Sequence, residues 1–205
     1  MKKHSSIIIR FLLLSFAAAG VNCCFPTVCF GPDDGGIKVA VLPFANFSDT
    51  PGVEKDLTGI FASELVRQTD MIVSHPKIVE KCLEDGDFPP GGGVSEAQAR
   101  QLAGLLGVDA VISGAVIEYD GFYPPTLGMS LKIFMPGTGK TVFSGSRVYD
   151  SRMPKIKRKA LRYARRCIGK DDQYGWEIVF IKKSHYMRFF CYELVRERFR
   201  RVRRT

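Results

Sequence analysis

The sequence is short of the groups that build reactive centres. Its three histidines, His4, His75 and His185, stand far apart, and none of its six cysteines forms a C-x-x-C pair, so no metal cluster is visible. Ser113 lies in an apolar, strand-like run and not on a nucleophile elbow. Asp49, Glu54, Asp56 and Glu64 fall on cap or outward helical positions with no base beside them. Catalysis is therefore not expected, nor is a cofactor or a resident metal. The N-terminal apolar run, residues 11–21, has about 11 residues, well below the roughly 20 that span a bilayer.

What is present starts with an export pattern. Lys2, Lys3 and Arg10 precede that apolar run, and Pro26 with the Gly/Pro/Asp stretch 31–36 follows it, which argues against a buried helix. The run ends in Gly20-Val21-Asn22-Cys23-Cys24, a relaxed form of the bacterial lipobox. Cys23 is the first candidate for lipidation and Cys24 the second, with plain cleavage after residues 17–20 as the alternative. The expected layout is a signal peptide over 1–23, then a tether over 24–36 that reaches at most about 45 Å.

The remainder, in a chain of 205 residues that is 45% apolar, is enough for one domain with a core. Residues 37–44 (IKVAVLPF) predict a buried strand. Thr50 as cap and Pro51 at the first turn predict a helix carrying Val53, Leu57, Ile60, Phe61 and Leu65 on one face. The Asn46-Phe47-Ser48 sequon reads as a turn. A short strand over 71–74 and a helix over 76–83 come next. Ser95 with Gln98 forms a capping box for a helix that Gly107 ends, and residues 108–119 predict a long strand buried on both faces.

"IFMPGTGKTVFSG" (133–145) looks at first like a phosphate-binding loop. The first glycine of that motif would be residue 134, which is Phe134, and residues 141–149 alternate as a strand does and show no helical stripe. Without a helix N-terminus the convergent amides are missing. Residues 136–140 therefore predict the tip of a β-hairpin whose glycines take positive φ.

Charge divides the chain. Residues 152–205 hold 18 Lys and Arg against 5 Asp and Glu, net +13, while residues 1–151 hold 12 against 16, net −4. Two basic helices are expected. One covers 154–167, with Ile156, Ala160, Tyr163 and Cys167 facing one way. The other covers 184–203, with a stripe of Met187, Phe190, Cys191 and Leu194. Residues 176–181 between them read as a strand or a packed connector. Cys167 and Cys191 could pair or simply pack.

The segments "VAVLPFANFSDTPG", "QARQLAGLLGVDAVISGAVIEY" and "SLKIFMPGTGKTVFSGSRVYD", in this order, resemble the CsgG family of curli assembly and are similar to TolB N-terminal and LpoB-type periplasmic domains. Residues 39–44 and 105–114, with the Thr138-Gly139-Lys140 turn, carry the likeness, which covers about 37–150. It implies an α/β fold: a three-layer domain with a mixed central sheet of about five strands, helices packed on it, and C-terminal basic helices (151–205) appended. It also implies a non-catalytic envelope lipoprotein that acts as an accessory or assembly factor. Residues 120–126 and 88–94 are too short for pore-forming hairpins, so a CsgG-type channel is not expected.

The expected setting is periplasm-facing and lipid-anchored, with the outer membrane favoured over the inner. The expected partners are other envelope proteins, the membrane through the anchor, anionic lipid and further copies of the chain. Arg196, Arg198, Arg200, Arg201, Arg203 and Arg204 are the candidate partner or membrane contacts. Solvation of two packed helices is the plainer account of the same arginines. If the N-terminus is not an export signal, the alternative is nucleic-acid binding through that basic run, although no reading motif accompanies it.

Overall fold

The computed structural model describes residues 36–89, 93–168 and 175–199. They form a three-layer α/β domain: one mixed sheet with helices against both faces. Strand β1 (Lys38–Val41) pairs in parallel with β3 (Ile72–Val73) on one side and β4 (Ala110–Asp120) on the other. β4 then runs antiparallel to β5 (Thr126–Met135), and β5 to β6 (Lys140–Asp150). The expected first strand is split, because Pro43 has no N–H to give the ladder; the chain re-enters as β2 (Ala45–Asn46), which pairs with β4 further along. The sheet thus has six strands.

Helix α1 (Val53–Gln68) starts later than the sequence predicted. Gly52 is its N-cap, at φ 82°, with no capping side chain. Thr50 is diverted because Asn46 organises the preceding loop: its amide donates to the Thr50 carbonyl at 2.7 Å and to Glu54 at 3.0 Å, and its oxygen accepts from Ser48 N–H at 2.9 Å. α2 (Pro76–Asp85) begins at the predicted place, with the His75 imidazole accepting from Lys77 N–H. α3 (Glu96–Leu106) has the Ser95/Gln98 capping box and ends on Gly107 at φ 61°.

Alternation along the strands sorts the core. Ile112 and Val116 of β4, with Leu127, Met129, Leu131 and Ile133 of β5, face α1 and the C-terminal helices. Val111 and Phe134 face α2 and α3 in a smaller second core. The close β4–β5 contact needs a glycine. A Cβ on Gly114 would lie 2.8 Å from both the Ser130 carbonyl oxygen and a Leu131 methyl.

The hairpin tip does not have the geometry of a phosphate loop. β6 begins at Lys140, so a strand stands where the motif needs a helix. The Thr138 and Gly139 amides are spent inward, both on the Met135 carbonyl, at 3.2 and 3.0 Å. Glu96 of α3 accepts from Thr141 N–H and Oγ1 at 3.1 and 2.6 Å, which pins the tip to that helix. Of the two tip glycines only Gly139 takes positive φ, 66°.

The C-terminal quarter is part of the body. After α4 (Pro154–Cys167), residues 176–181 form a 3-10 turn (Gly175–Glu177) and a one-turn helix, α5 (Ile178–Ile181), and not a strand. α6 (Lys183–Arg198) follows; the part of the expected helix beyond Phe199 lies outside the described residues. α6 is buried nearly all round, not along one stripe: Tyr186, Phe189 and Tyr192 are enclosed as well as Met187, Phe190 and Leu194. On α4, Ala164 is buried and Cys167 exposed, a shift of the expected stripe.

Because α6 is enclosed, its charges pair internally. Lys159 of α4 contacts Glu197, lies 3.5 Å from Glu193 and donates to the Tyr149 hydroxyl at 2.8 Å. Burial alone would raise the Glu197 pKa, but the Lys159 hydrogen bond and charge, then Arg147, hold it below the ordinary carboxylate value.

Two outcomes follow from this packing. Gly114→Ala lowers stability by about 1–3 kcal/mol, because the new methyl meets the Ser130 backbone carbonyl as well as the Leu131 side chain, and the carbonyl cannot rotate away; chemical denaturation measures it. A depressed carboxylate stabilises above its unfolded pKa and loses that contribution as pH falls through its folded one. Stability therefore drops on acidification through the carboxylate range, and Glu197→Gln has a smaller drop in the same urea titration.

Candidate docking surface

The structure divides the arginines that the sequence proposed as contacts. Arg196 is half-exposed, with Nη1 3.3 Å from Glu193. Arg198 is 4% exposed, with its guanidinium 5.3 Å from the Phe143 ring centre, so it belongs to the interior and not to a surface. Its helix turns it toward β6, where the arene offers a cation–π contact. Arg200, Arg201, Arg203 and Arg204 lie outside the described residues, as do Cys23 and Cys24.

The exposed cations are on α4. Ile156, Ala160, Tyr163 and Ala164 turn inward, and Tyr163 meets Phe189 and Tyr192 with ring centres 5.5 and 5.0 Å apart. Lys159, at the edge of that buried arc, reaches Glu193 and Glu197. Helical spacing then sends Lys155, Arg158, Arg162 and Arg165, at steps of three, four and three, onto the outer face, all exposed. α4 contains no acidic residue, and among the described residues none of these four cations forms an ion pair. Arg166, beside them, donates to the Tyr192 hydroxyl at 3.1 Å.

Sequence reasoning did not single out the outward cations of α4. The signal that finds α4 is the complement of its apolar stripe: once Ile156, Ala160 and Tyr163 are inside, the unbroken cationic row is outside.

A groove lies on the other face of the sheet, beside the start of α3. This groove, of about 470 Å³, is bordered by Phe47, Ser95, Gln98, Ser113, Ser130 and Lys132 among others. Its lining offers hydroxyls, an amide and one ammonium, with no histidine or carboxylate. Ser113 and Lys132 are cross-strand neighbours without a hydrogen bond between them among the described residues.

The cysteines supply no reactive thiolate in this region. Cys82, Cys167 and Cys191 are free, so the Cys167–Cys191 pairing weighed from the sequence is not formed. Burial is the leading cause that pushes each of the three thiols above its ordinary pKa, most strongly for the fully enclosed Cys191. No group of three or more metal-binding side chains occurs among the described residues.

No family model matches this chain, and no curated protein matches it. The chain is similar to several solved structures. The lipoprotein GNA1162 from Neisseria meningitidis is 20% identical over 56% of this chain and 80% of its own, with a TM-score of 0.47. A PelC dodecamer from Paraburkholderia phytofirmans is 19% identical over 84% of this chain and 91% of its own, TM-score 0.46. The LpoB C-terminal domain from Salmonella enterica is 16% identical over 57% and 84%, TM-score 0.44.

Proposed function

We propose that this chain is a lipid-anchored accessory protein of the bacterial envelope, non-catalytic, which works by docking its α/β domain onto an anionic partner surface through helix α4. The observation that carries this reading is how its charges are distributed. The carboxylates Glu193 and Glu197 are tied into ion pairs, whereas Lys155, Arg158, Arg162 and Arg165 project together with no acid on their helix. Such a row is a surface for association, not for stability, since exposed charges contribute little to folding.

The export pattern and Cys23 at the relaxed lipobox supply the setting, with Cys24 as the second acceptor. A tether of at most about 45 Å keeps the domain close to its membrane. Other envelope proteins and further copies of the chain remain its proposed partners. A nucleic-acid role through the C-terminal arginines loses support from the burial of Arg198.

Cys23→Ala moves the protein from the membrane fraction to the soluble one; retention in the membrane that only a further Cys24→Ala abolishes assigns the anchor to Cys24. Arg158→Glu/Arg162→Glu/Arg165→Glu leaves the thermal midpoint nearly unchanged, within about 0.5 kcal/mol per site. The same variant loses the envelope crosslinks of the intact protein. Unaltered crosslinking in cells refutes the docking role of α4.

A further inference from the structure

The β4–β5 connection exposes Phe122 and Tyr123, which are 78% and 70% accessible. Two large aromatic side chains held in water at a hairpin tip contribute nothing to the core, and apolar surface displayed in this way marks an interaction site. Lysines flank them. The Lys183 ammonium lies 5.4 Å from the Phe122 ring centre, and Lys182 is exposed beside it. Ile181 and Met153 are the other exposed apolar side chains at this end. The local carboxylates are engaged: Asp150 pairs with Arg152 at 2.8 Å, and Asp120 accepts from Phe122 N–H at 2.9 Å. Glu118, Asp120 and Asp150 are matched in number by Arg152, Lys182 and Lys183, so the tip itself carries no excess negative charge.

This tip adjoins the start of α4. Thr126 pairs with Asp150, and Ser151 N–H donates to the Pro125 carbonyl at 3.1 Å, so α4 starts where the aromatic tip ends. Its other end reaches the opposite pole, where Cys167 lies beside Arg67 in the last turn of α1. Residue 36 lies at that same pole: Ile72 N–H, just past α1, donates to the Ile37 carbonyl at 2.9 Å. The aromatic tip thus lies at one end of α4, and residue 36 lies at the pole that its other end reaches.

We infer that the outer face of α4 and the adjoining tip seat on an anionic lipid surface, with Lys155, Arg158, Arg162 and Arg165 over headgroup phosphates and Phe122 and Tyr123 in the interfacial layer. The inference rests on the reading of α4 as a docking face and names its occupant. Cations in a convex row match a continuous negative plane. Exposed aromatic side chains beside lysines have the composition of an interfacial anchor, in which rings enter the headgroup region and ammonium groups stay at its edge. An acidic protein would satisfy the arginines but would leave the projecting rings unexplained.

The test uses the full chain with an indole introduced by Tyr123→Trp, compared with the unsubstituted chain, whose Trp176 packs edge-on against Phe180 at 5.8 Å. Vesicles of phosphatidylethanolamine and phosphatidylglycerol are set against vesicles of phosphatidylcholine, each with brominated acyl chains. The expected result is a blue shift and quenching of the new indole on the anionic vesicles alone, weakened by salt. A control indole from Thr138→Trp, at the far hairpin, stays unquenched.

Each cation near such a surface contributes about fivefold, so neutralising Arg158, Arg162 and Arg165 with glutamine lowers the docking equilibrium by about a hundredfold. An indole at position 123 that is never quenched, or equally quenched on both vesicle types, overturns the inference. If it is not quenched while the α4 charge reversals still abolish envelope crosslinks, α4 docks a protein and only the lipid assignment falls. If neither readout responds, the docking role falls with it.

Discussion

Enclosure of helix α6 constrains everything around it. The helix lies between the sheet, α1 and α4, and carries Glu193 and Arg198 into surroundings with little water, with Glu197 half-buried beside them. Buried charge is tolerated only when it is matched. Lys159 supplies the match for both carboxylates, and its position on α4 sets the rotation of that helix about its axis. With Lys159 at the inner edge, the neighbouring cations have nowhere to go but outward. The outward row is thus a geometric consequence of how the core satisfies itself.

The aromatic side of the same interface reinforces this arrangement. Tyr149 touches Phe189 and Phe190, and Tyr163 touches Phe189 and Tyr192, so rings from β6, α4 and α6 interlock. Tyr186 closes the seam by donating its hydroxyl to the Tyr149 carbonyl at 2.6 Å. Burial, with the nearby Glu197 and Glu193 charges, pushes the Tyr149 phenol well above its ordinary pKa, and it stays a neutral donor to Glu197 at 3.2 Å. The C-terminal helices are consequently as much a part of the folded body as the sheet they cover.

Local patterns were legible where the physics is local. The capping box at Ser95 and Gln98, the Gly107 stop, Pro76 at a helix start and the hairpin around Gly139 all depend on a few neighbouring residues, and all were readable in order. Thr50 misled because Asn46, four residues away, takes its carbonyl and reshapes the loop. Arg198 misled for a similar reason. Arginine count alone pointed to the end of the chain, whereas burial of Arg198 depends on the Phe143 ring, which lies on a strand remote in sequence.

The sequence by itself determined the order of helices and strands, the turn that rules out a phosphate loop, and the concentration of positive charge in the last quarter. Those features follow from periodicity, backbone preference and composition. Only the tertiary structure decided which cations are spent inside and which face outward. It also decided that an aromatic tip adjoins the start of a basic helix about thirty residues further along the chain. Such a choice depends on what packs against each helix, and a linear pattern of residues does not contain the neighbours.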